Sequence, residues 1–387
     1  MVKLGDVCTI NPRLPKNANP EQEVTFLAMA AVSEKGEISS QETRILHETK
    51  KGFTYFERGD VLLAKITPCF ENGKATLTNN LNTQIGFGST EFHVLRAFPD
   101  LILPEFIFYL VWNERFRIAA AKEMTGSAGQ KRVSTDYLKE YKFYLPSIFE
   151  QEKIVAALNK GYSIHRKRQQ AIKLADDFLR AKFLEMFGTP ANNIHRFPTG
   201  KIRDLVDSVN YGTSAKASID SGEYPILRMG NITYQGGWDF TDLKYLDLSV
   251  KEKDKFLVKE GDLLFNRTNS KELVGKTAVY EENRPMAFAG YLIRVRPNPI
   301  GNNYYISGYL NSIHGKITLM NMCKSIVGMA NINAQELQNI EILIPPKHLQ
   351  DEYEIIYKKI KKGLSIYDKS AMQLQLLASN LSNEYFM

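Results

Sequence analysis

Short apolar runs and longer stretches of helical periodicity alternate along the chain. Residues 24–29 and 60–64 are apolar runs bounded by polar or glycine-containing turns, a pattern that predicts buried β-strands. Leu103-Pro104-Glu105 opens a stretch in which apolar residues recur at helical spacing, and a proline at this position favours the first turn of a helix. The first 147 residues therefore predict a mixed α/β domain.

A much longer amphipathic stretch begins at Glu150-Gln151 and ends at Gly188. Its apolar seam has a polar middle and consists of Val155, Leu158, Tyr162, His165, Gln169, Ile172, Asp176, Leu179, Phe183 and Met186. A helix of this length spans about 55 Å and needs a partner along its seam. The last segment of the chain offers one, with seam residues Tyr353, Ile356, Ile360, Tyr367, Leu374, Leu377 and Leu381. An antiparallel two-helix coiled coil is expected.

The segments before the two long helices repeat one another. Gly59-Asp60-Val61-Leu62 returns as Gly261-Asp262-Leu263-Leu264, and Gly73-Lys74 returns as Gly275-Lys276. The approach to each helix also repeats, with Gln151 five residues after Pro146 and Gln350 five residues after Pro345. The sequence predicts an α+β protein with domains at 1–147 and 189–346 and long helices at 148–188 and 347–387.

Charge and composition limit the possible partners without identifying one. The formal net charge is +7, yet residues 1–150 carry 18 basic and 18 acidic side chains, so charge alone does not establish a nucleic-acid partner. No run of twenty apolar residues is present, so no membrane span is expected. Three cysteines far apart in sequence favour a cytoplasmic location and argue against a structural zinc site.

Motifs for catalysis are missing from the sequence. Leu273-Val274-Gly275-Lys276-Thr277 resembles the end of a phosphate-binding loop, but Ser270 stands where that motif requires its first glycine. The six histidines form no ligand-spaced pair, and neither a glycine-rich cofactor loop nor an amino-methyltransferase signature is present. A self-contained nuclease or methyltransferase is therefore disfavoured, and neither a catalytic residue nor a metal site is expected.

Polar loops follow the repeated Gly-Asp strand at the same place in both copies. Residues 65–74 and 266–271 are rich in Lys, Arg, Asn, Thr and Ser. Such side chains can donate hydrogen bonds to base edges and to phosphates. A single loop of this kind is also compatible with an ordinary capped surface turn, but its recurrence in both copies favours a recognition surface.

With these features together, the chain resembles the specificity subunit of type I restriction-modification systems. The resemblance covers essentially the whole chain and is carried by residues 65–74, 88–96, 266–270 and 274–276, and by the Leu-Pro or Ile-Pro-Pro lead into each helix. It implies two target recognition domains, each reading half of a bipartite double-stranded DNA sequence, with the helices setting the spacer. It also implies two methyltransferase subunits that carry S-adenosylmethionine and methylate adenine N6, and it admits restriction subunits that cleave unmodified DNA. No cofactor is expected in this chain.

The resemblance places candidate DNA contacts in both copies. In the first copy they are Lys65, Thr67, Asn72, Lys74, Ser89 and Glu91. In the second copy they are Arg228, Asn231, Asn266, Arg267, Asn269, Ser270 and Lys276. Gly59-Asp60 and Gly261-Asp262 are assigned to framework turns. A carboxylate such as Glu91 must accept from cytosine N4 or be paired otherwise.

Two alternatives remain at this point. One is the specificity chain of a related system whose single partner both methylates and cuts DNA. The other is a coiled-coil scaffold that binds only protein, which leaves the donor-rich loops without a role.

Overall fold

The computed structural model describes residues 1–127, 129–270, 273–326 and 329–386. Within these ranges, the side chains of residues 324–326, 329, 366–372, 374–375, 378–379 and 381 lie outside the description. The chain forms two compact units, of which unit 1 comprises Met1–Arg168 and Lys369–Met387 and unit 2 comprises Gln169–Asp368. Each unit therefore contains one copy of the repeat together with part of both long helices.

The first copy contains ten strands and four short helices among its described residues. The strands are β1 (Val2–Lys3), β2 (Cys8–Ile10), β3 (Glu23–Leu27), β4 (Glu42–Ile45), β5 (Thr54–Glu57), β6 (Val61–Ala64), β7 (Ala75–Leu77), β8 (Ile85–Gly88), β9 (Phe92–Ala97) and β10 (Lys142–Phe143). The α-helices are α1 (Leu46–Thr49), α2 (Pro104–Trp112), α3 (Glu114–Lys122) and α4 (Thr135–Glu140), and α5 (Ile148–Phe187) is the first long helix.

Strand β6 lies at the centre of unit 1. It pairs with β9 and β7 in a four-stranded sheet of order β2-β9-β6-β7, and a second sheet has the order β4-β3-β8-β5. Val61 and Leu63 pack into the core formed with the helices, whereas Leu62 and Ala64 pack into a separate core with residues of the second sheet. Because both faces of β6 are buried, its sequence is a continuous apolar run rather than an alternating one.

The second copy repeats this set of elements. Its strands are β11 (Thr199–Lys201), β12 (Val206–Tyr211), β13 (Tyr224–Leu227), β14 (Lys244–Leu246), β15 (Leu257–Val258), β16 (Leu263–Asn266), β17 (Thr268–Asn269), β18 (Thr277–Val279), β19 (Met286–Phe288), β20 (Leu292–Pro297), β21 (Lys324–Ile326), β22 (Met329–Asn331) and β23 (Glu341–Leu343). Its α-helices are α6 (Val250–Phe256), α7 (Asn303–Asn311), α8 (Ile313–Met322) and α9 (Ala334–Gln338), and α10 (Lys347–Tyr385) is the second long helix.

Sheet topology confirms the predicted duplication. The order β12-β20-β16-β18 in unit 2 corresponds to β2-β9-β6-β7, and β14-β13-β19-β15 corresponds to β4-β3-β8-β5. In each second sheet one pair is parallel, β3 with β8 and β13 with β19, and the other pairs are antiparallel. Unit 2 adds a three-stranded sheet of order β17-β22-β21. The prediction of two similar mixed α/β domains with long helices is confirmed.

The two long helices run antiparallel where they meet in unit 2. Asp176 of α5 accepts a hydrogen bond from Lys361 of α10 at 2.9 Å, and Phe183, further along α5, packs against Tyr353, further back on α10. Gly188 ends α5 with a φ of +69°, a conformation that suits glycine after a helix. Among the described residues, none of the helices combines the length and apolar character that a membrane span requires.

The predicted seam of the last helix is only partly correct. Tyr353 is buried, and Ile356 and Ile360 are partly buried, as the seam requires. Leu377 is 55% exposed, so its assignment to the seam is wrong in this structure. The side chains of Tyr367, Leu374 and Leu381 lie outside the described residues.

A buried glutamine fixes the start of each long helix to its own copy. The Gln151 amide donates to the carbonyl oxygens of Leu101 and Pro146 at 3.0 and 2.9 Å, and its oxygen accepts from the Leu103 backbone N–H at 2.9 Å. Gln350 donates to the carbonyls of Ile300 and Pro345 at 3.0 and 2.8 Å, but its oxygen accepts no hydrogen bond within the described part of the chain. Both glutamines are fully buried, so these bonds are shielded from water.

This difference between the two glutamines predicts unequal effects of the same substitution. Gln151→Leu should lower the free energy of unfolding by about 1–3 kcal/mol, because it leaves the Leu103 N–H and two carbonyls without their partner. Gln350→Leu should cost less, since it also removes an amide oxygen that is already unpaired. Urea denaturation of the full chain would measure both variants. An equal or larger loss for Gln350→Leu would contradict this account.

Candidate nucleic-acid interface

The polar loop of each copy leaves a central strand whose preceding turn is held by a buried aspartate. The Asp60 carboxylate accepts the backbone N–H of Glu57 at 2.7 Å and both ends of the Arg96 guanidinium at 2.8 and 2.7 Å. The hydrogen bonds that Arg96 donates to Asp60 raise the pKa of the Arg96 guanidinium above its ordinary value. This carboxylate is committed to the turn and to β9, so it is not available to a ligand.

The second copy reproduces the same arrangement. Asp262 accepts the backbone N–H of Lys259 at 2.9 Å and the Arg296 guanidinium at 2.7 and 3.0 Å. Gly261 precedes it with a φ of +88°, matching Gly59 at +94°. The Gly-Asp pairs thus serve as framework turns, as the sequence indicated, and they place the two polar loops equivalently on their sheets.

In unit 1 the loop meets two other segments. Thr67 donates its hydroxyl to the Gly129 carbonyl at 3.1 Å and accepts the Lys131 backbone N–H at 3.2 Å. The Lys65 backbone N–H donates to the Glu91 carbonyl, and the Lys65 carbonyl accepts from the Val133 N–H, both at 2.9 Å. Residues 65–67, 89–91 and 129–133 therefore form one surface, here called the first recognition surface.

Glu91 is an internal partner on this surface rather than a free acceptor. It accepts the Arg132 guanidinium through three contacts of 2.9 to 3.2 Å. Hydrogen bonding from Arg132 lowers the pKa of the Glu91 carboxyl, so this group stays ionised. Ser89 supports the same turn, because its hydroxyl oxygen accepts the Glu91 backbone N–H at 3.2 Å. Glu91 and Ser89 consequently orient Arg132.

Arg132 is a functional candidate that sequence reasoning did not identify. Its side chain is 41% exposed, and a guanidinium held by a carboxylate keeps further N–H donors for another acceptor. The signal in the sequence was weak, since Lys131-Arg132 lies far from the motif loop and follows a glycine-rich stretch. Only the folded arrangement brings it beside Lys65 and Thr67.

Asn72 and Lys74 lie at the other end of the loop, where both contact residues 29–34. The Asn72 amide donates to the Glu34 carboxylate at 2.9 Å, and the Lys74 ammonium donates to the Met29 carbonyl at 3.4 Å. Asn72 is exposed and Lys74 is partly buried. These two candidates are separate from the first recognition surface, and they hold the loop in place.

In unit 2, the corresponding loop carries Arg267, which is partly buried. Its guanidinium carbon lies 4.9 Å from the centre of the Tyr211 ring, and it forms no hydrogen bond or ion pair with the described part of the chain. Asn269 follows in β17, and its side-chain oxygen accepts the Ser270 backbone N–H at 2.9 Å. Strand β17 pairs with β22, so residues 267–270 and 329–331 form the second recognition surface.

Arg228 and Asn231 lie at a different place in unit 2. Arg228 donates to the Asp242 backbone carbonyl at 2.9 Å and forms an ion pair with the Asp242 carboxylate at 2.8 Å. It lines a cavity of about 530 Å³ together with Tyr291. Asn231 is only 3% exposed; its side chain accepts from the Arg228 N–H and donates to the carbonyls of Asp239 and Asp242.

Three of the predicted DNA contacts, Asn231, Asn266 and Lys276, are buried in this structure. Asn231 is fully used in holding its own loop, and Asn266 has no exposed surface, so neither can reach a base or a phosphate. The prediction that Asn231 and Asn266 contact DNA directly is therefore wrong in this structure. Lys276 is 8% exposed, and burial lowers the pKa of its ammonium. Lys276 is therefore less accessible to a ligand than a lysine on an open recognition surface would be.

The exposed groups of the two surfaces are suited to binding rather than to catalysis. Arginine, lysine, threonine and asparagine side chains donate hydrogen bonds to phosphates and to base edges. Among the residues that the structure describes, no cluster of three or more His, Cys, Asp or Glu side chains is arranged to hold a metal ion.

Comparison with known proteins agrees with this geometry. A family model described as the type I restriction modification DNA specificity domain matches residues 1–174 and 196–378. The EcoAI specificity subunit of Escherichia coli is 31% identical over 268 residues, which cover 67% of this chain and 45% of that protein. The EcoEI specificity subunit of Escherichia coli is 32% identical over 270 residues, covering 68% and 45%. The chain thus spans about half the length of these relatives.

Two solved structures share the fold. The type I restriction-modification S subunit from M. genitalium aligns over 100% of this chain and 95% of its own length, with a TM-score of 0.63 and 14% identity. A chain from a study of complex assembly and conformational transition of the type I R-M system aligns over 100% and 96%, with a TM-score of 0.56 and 20% identity. Because the family model matches two segments that together cover most of the sequence, the chain belongs to the family of type I restriction modification DNA specificity domains.

Proposed function

We propose that this chain is the non-catalytic specificity subunit of a type I restriction-modification enzyme and that each recognition surface reads one half of a bipartite DNA sequence. One observation carries the proposal. The two copies share the aspartate-held turn and the sheet order, whereas the side chains on the loops differ, with Lys65, Thr67 and Arg132 in one copy and Arg267 and Asn269 in the other. A shared framework with different donors suits two different half-sites.

The chemistry of the complex would belong to partner subunits. Two methyltransferase subunits would bind S-adenosylmethionine, extrude an adenine from each half-site and methylate its N6. Restriction subunits would cleave DNA that lacks the modification. This chain would bind no cofactor, and it would work in the cytoplasm, where the DNA is accessible.

The long helices would set the length of the unread spacer between the half-sites. Each compact unit contains part of both helices, and a buried glutamine ties the start of each helix to its own copy. Half-site separation follows from the separation of the reading domains, as for other proteins that read two-part DNA sites. Helix length would therefore be the physical basis of spacer length.

Sequencing of modified bases tests the proposed function directly. DNA from cells that express this chain with its methyltransferase partner should contain a motif of two short defined parts around an unspecified spacer, with N6-methyladenine in each part. Cells that lack only this chain should lose that motif while retaining other methylation. A methylation pattern that does not depend on the chain would contradict the proposal and would favour a scaffold that binds protein alone.

Two arginine variants test whether the copies read separate half-sites. Arg267→Ala should relax recognition in one half of the motif only, and Arg132→Ala in the other half only, because each removes a guanidinium from one recognition surface. Each change should weaken discrimination by about 1–3 kcal/mol at the affected position, the usual contribution of a good base contact. Methylation rates on duplexes substituted one base pair at a time would measure this.

Each of these variants is the control for the other. An equal loss in both halves for either variant would show that the arginine binds phosphate generically. It would then not be a base-reading residue.

A further inference from the structure

His93 of β9 is a buried histidine that bonds to the first recognition surface. It is 3% exposed. Its Nε2 lies 2.8 Å from the carbonyl oxygen of Val133, the residue after Arg132, and its Nδ1 lies 3.2 Å from the amide nitrogen of Asn11. Asn11 directly follows β2. One imidazole ring therefore joins β9, the end of β2 and the segment that carries Arg132.

The neighbours of the ring determine which of its nitrogens carries the proton. A carbonyl oxygen can only accept, so Nε2 donates to Val133 and Nδ1 accepts from the Asn11 amide. The Asn11 amide cannot turn over, because its oxygen accepts the Val94 backbone N–H at 3.0 Å. A second proton on Nδ1 would therefore face the amide N–H group, donor against donor. These contacts fit the neutral ring and oppose the charged one.

The electrostatic surroundings of His93 also favour the neutral ring. Burial lowers the pKa of the His93 imidazole, and the hydrogen bond from its Nε2 only partly opposes this. Two charged groups act on the ring: Lys65, after β6, lowers its pKa, and Glu91, before β9, raises it. Asn11 and Thr135, which hydrogen-bond to each other beside the ring, are uncharged.

The Val133 backbone is held at both of its polar groups. Its N–H donates to the Lys65 carbonyl at 2.9 Å, and its carbonyl accepts from His93. The guanidinium of the preceding residue, Arg132, is held by Glu91, which lies two residues before His93 in sequence. The segment is thus fixed to β6 by a backbone bond and to β9 by two side chains. Of those two, His93 holds the backbone and Glu91 holds the guanidinium.

The second copy has an isoleucine at the equivalent position. Ile293 of β20 occupies the place in the sheet that His93 occupies in β9. The Ile332 backbone N–H donates to the Arg267 carbonyl at 2.9 Å, which is the counterpart of the contact at Val133. An isoleucine side chain can neither hydrogen-bond nor titrate. The two copies therefore share the backbone contact and differ in the side chain behind it.

We propose that His93 is a positioning residue for the first recognition surface: its neutral form holds the segment that presents Arg132, and its protonation releases that segment. The consequence for DNA reading rests on the proposed function, whereas the contact with the Val133 backbone does not. Because the pKa of His93 is lowered in the held arrangement, the released arrangement binds protons more readily and gains as the pH falls below about 6.5. The second copy should not respond.

Amide hydrogen exchange of the full chain at neutral pH tests the contact in the absence of DNA. His93→Leu removes the bond to the Val133 carbonyl, so the Val133 N–H should exchange about fivefold faster, the ratio that one hydrogen bond corresponds to. His93→Gln retains an N–H donor and should restore most of the protection. The Ile332 N–H is the internal control and should not change. Unchanged exchange at Val133 in His93→Leu would overturn the proposal.

The pH dependence of the same exchange keeps the test decisive if His93→Leu folds poorly. In the unmodified chain, exchange at Val133 relative to Ile332 should rise on going from neutral pH to about pH 5.5. Asn11→Gly should reduce this rise, because Nδ1 then accepts a proton without facing a donor. Asn11 has a φ of +55°, which glycine also adopts, so the change adds no backbone strain. No rise in the unmodified chain, or the same rise in Asn11→Gly, would contradict the proposed role.

Base discrimination by the chain assembled with its methyltransferase partner tests the consequence for DNA reading. At the half-site that Arg132→Ala relaxes, the ratio of methylation rates on matched and substituted duplexes should fall about fivefold towards pH 5.5. At the other half-site the ratio should stay constant, since the pH dependence of the methyltransferase cancels in each ratio. The fall should be lost in His93→Gln and retained in His47→Gln, which removes a half-exposed histidine of α1.

An equal fall at both half-sites, or a fall that persists in His93→Gln, would overturn the role of His93 in DNA reading. Failure of the proposed function is distinguishable from this result. In that case no methylated motif would depend on the chain, while the exchange at Val133 would still respond to His93→Leu.

Discussion

The buried glutamine in the first turn of each long helix is the contact on which the positions of the recognition surfaces depend. Gln151 lies five residues after Pro146 and bonds to that residue's carbonyl and to the segment before α2, so the helix cannot turn relative to its copy without breaking buried hydrogen bonds. Such bonds are costly to break because no water is present to replace them. Gln350 forms the equivalent hydrogen bonds to the carbonyls of Ile300 and Pro345 in the second copy.

The second fixed point is the aspartate turn before the central strand. Asp60 and Asp262 each join a backbone N–H to an arginine on a neighbouring strand, and the polar loop leaves the other end of the central strand. Buried polar contacts hold the aspartate turn of each copy and the start of each long helix. The loop residues can therefore differ between the copies without disturbing the sheets. Separation of framework from loop explains how two copies can share a topology and carry different donors.

The sequence was sufficient for the features that depend on local periodicity and on internal repetition. Apolar spacing and repeated turn residues predict the strand around Val61, the long helices and the duplication of the domain. Features that depend on contacts between distant segments could not be predicted from the sequence. Arg132 becomes a candidate only because its loop folds against Glu91, and Asn231 and Asn266 are buried although asparagine in a loop usually suggests exposure.

Our central proposal is that the long helices fix the distance between the two half-sites that the recognition surfaces bind. The most direct measurement is the methylated motif produced after seven residues, two helical turns, are deleted from both helices around Ile172 and Leu374. The account predicts the same two half-sites with a shorter spacer, because the copies and their loops are unchanged while the distance between them falls. An unchanged spacer with both half-sites retained would contradict it.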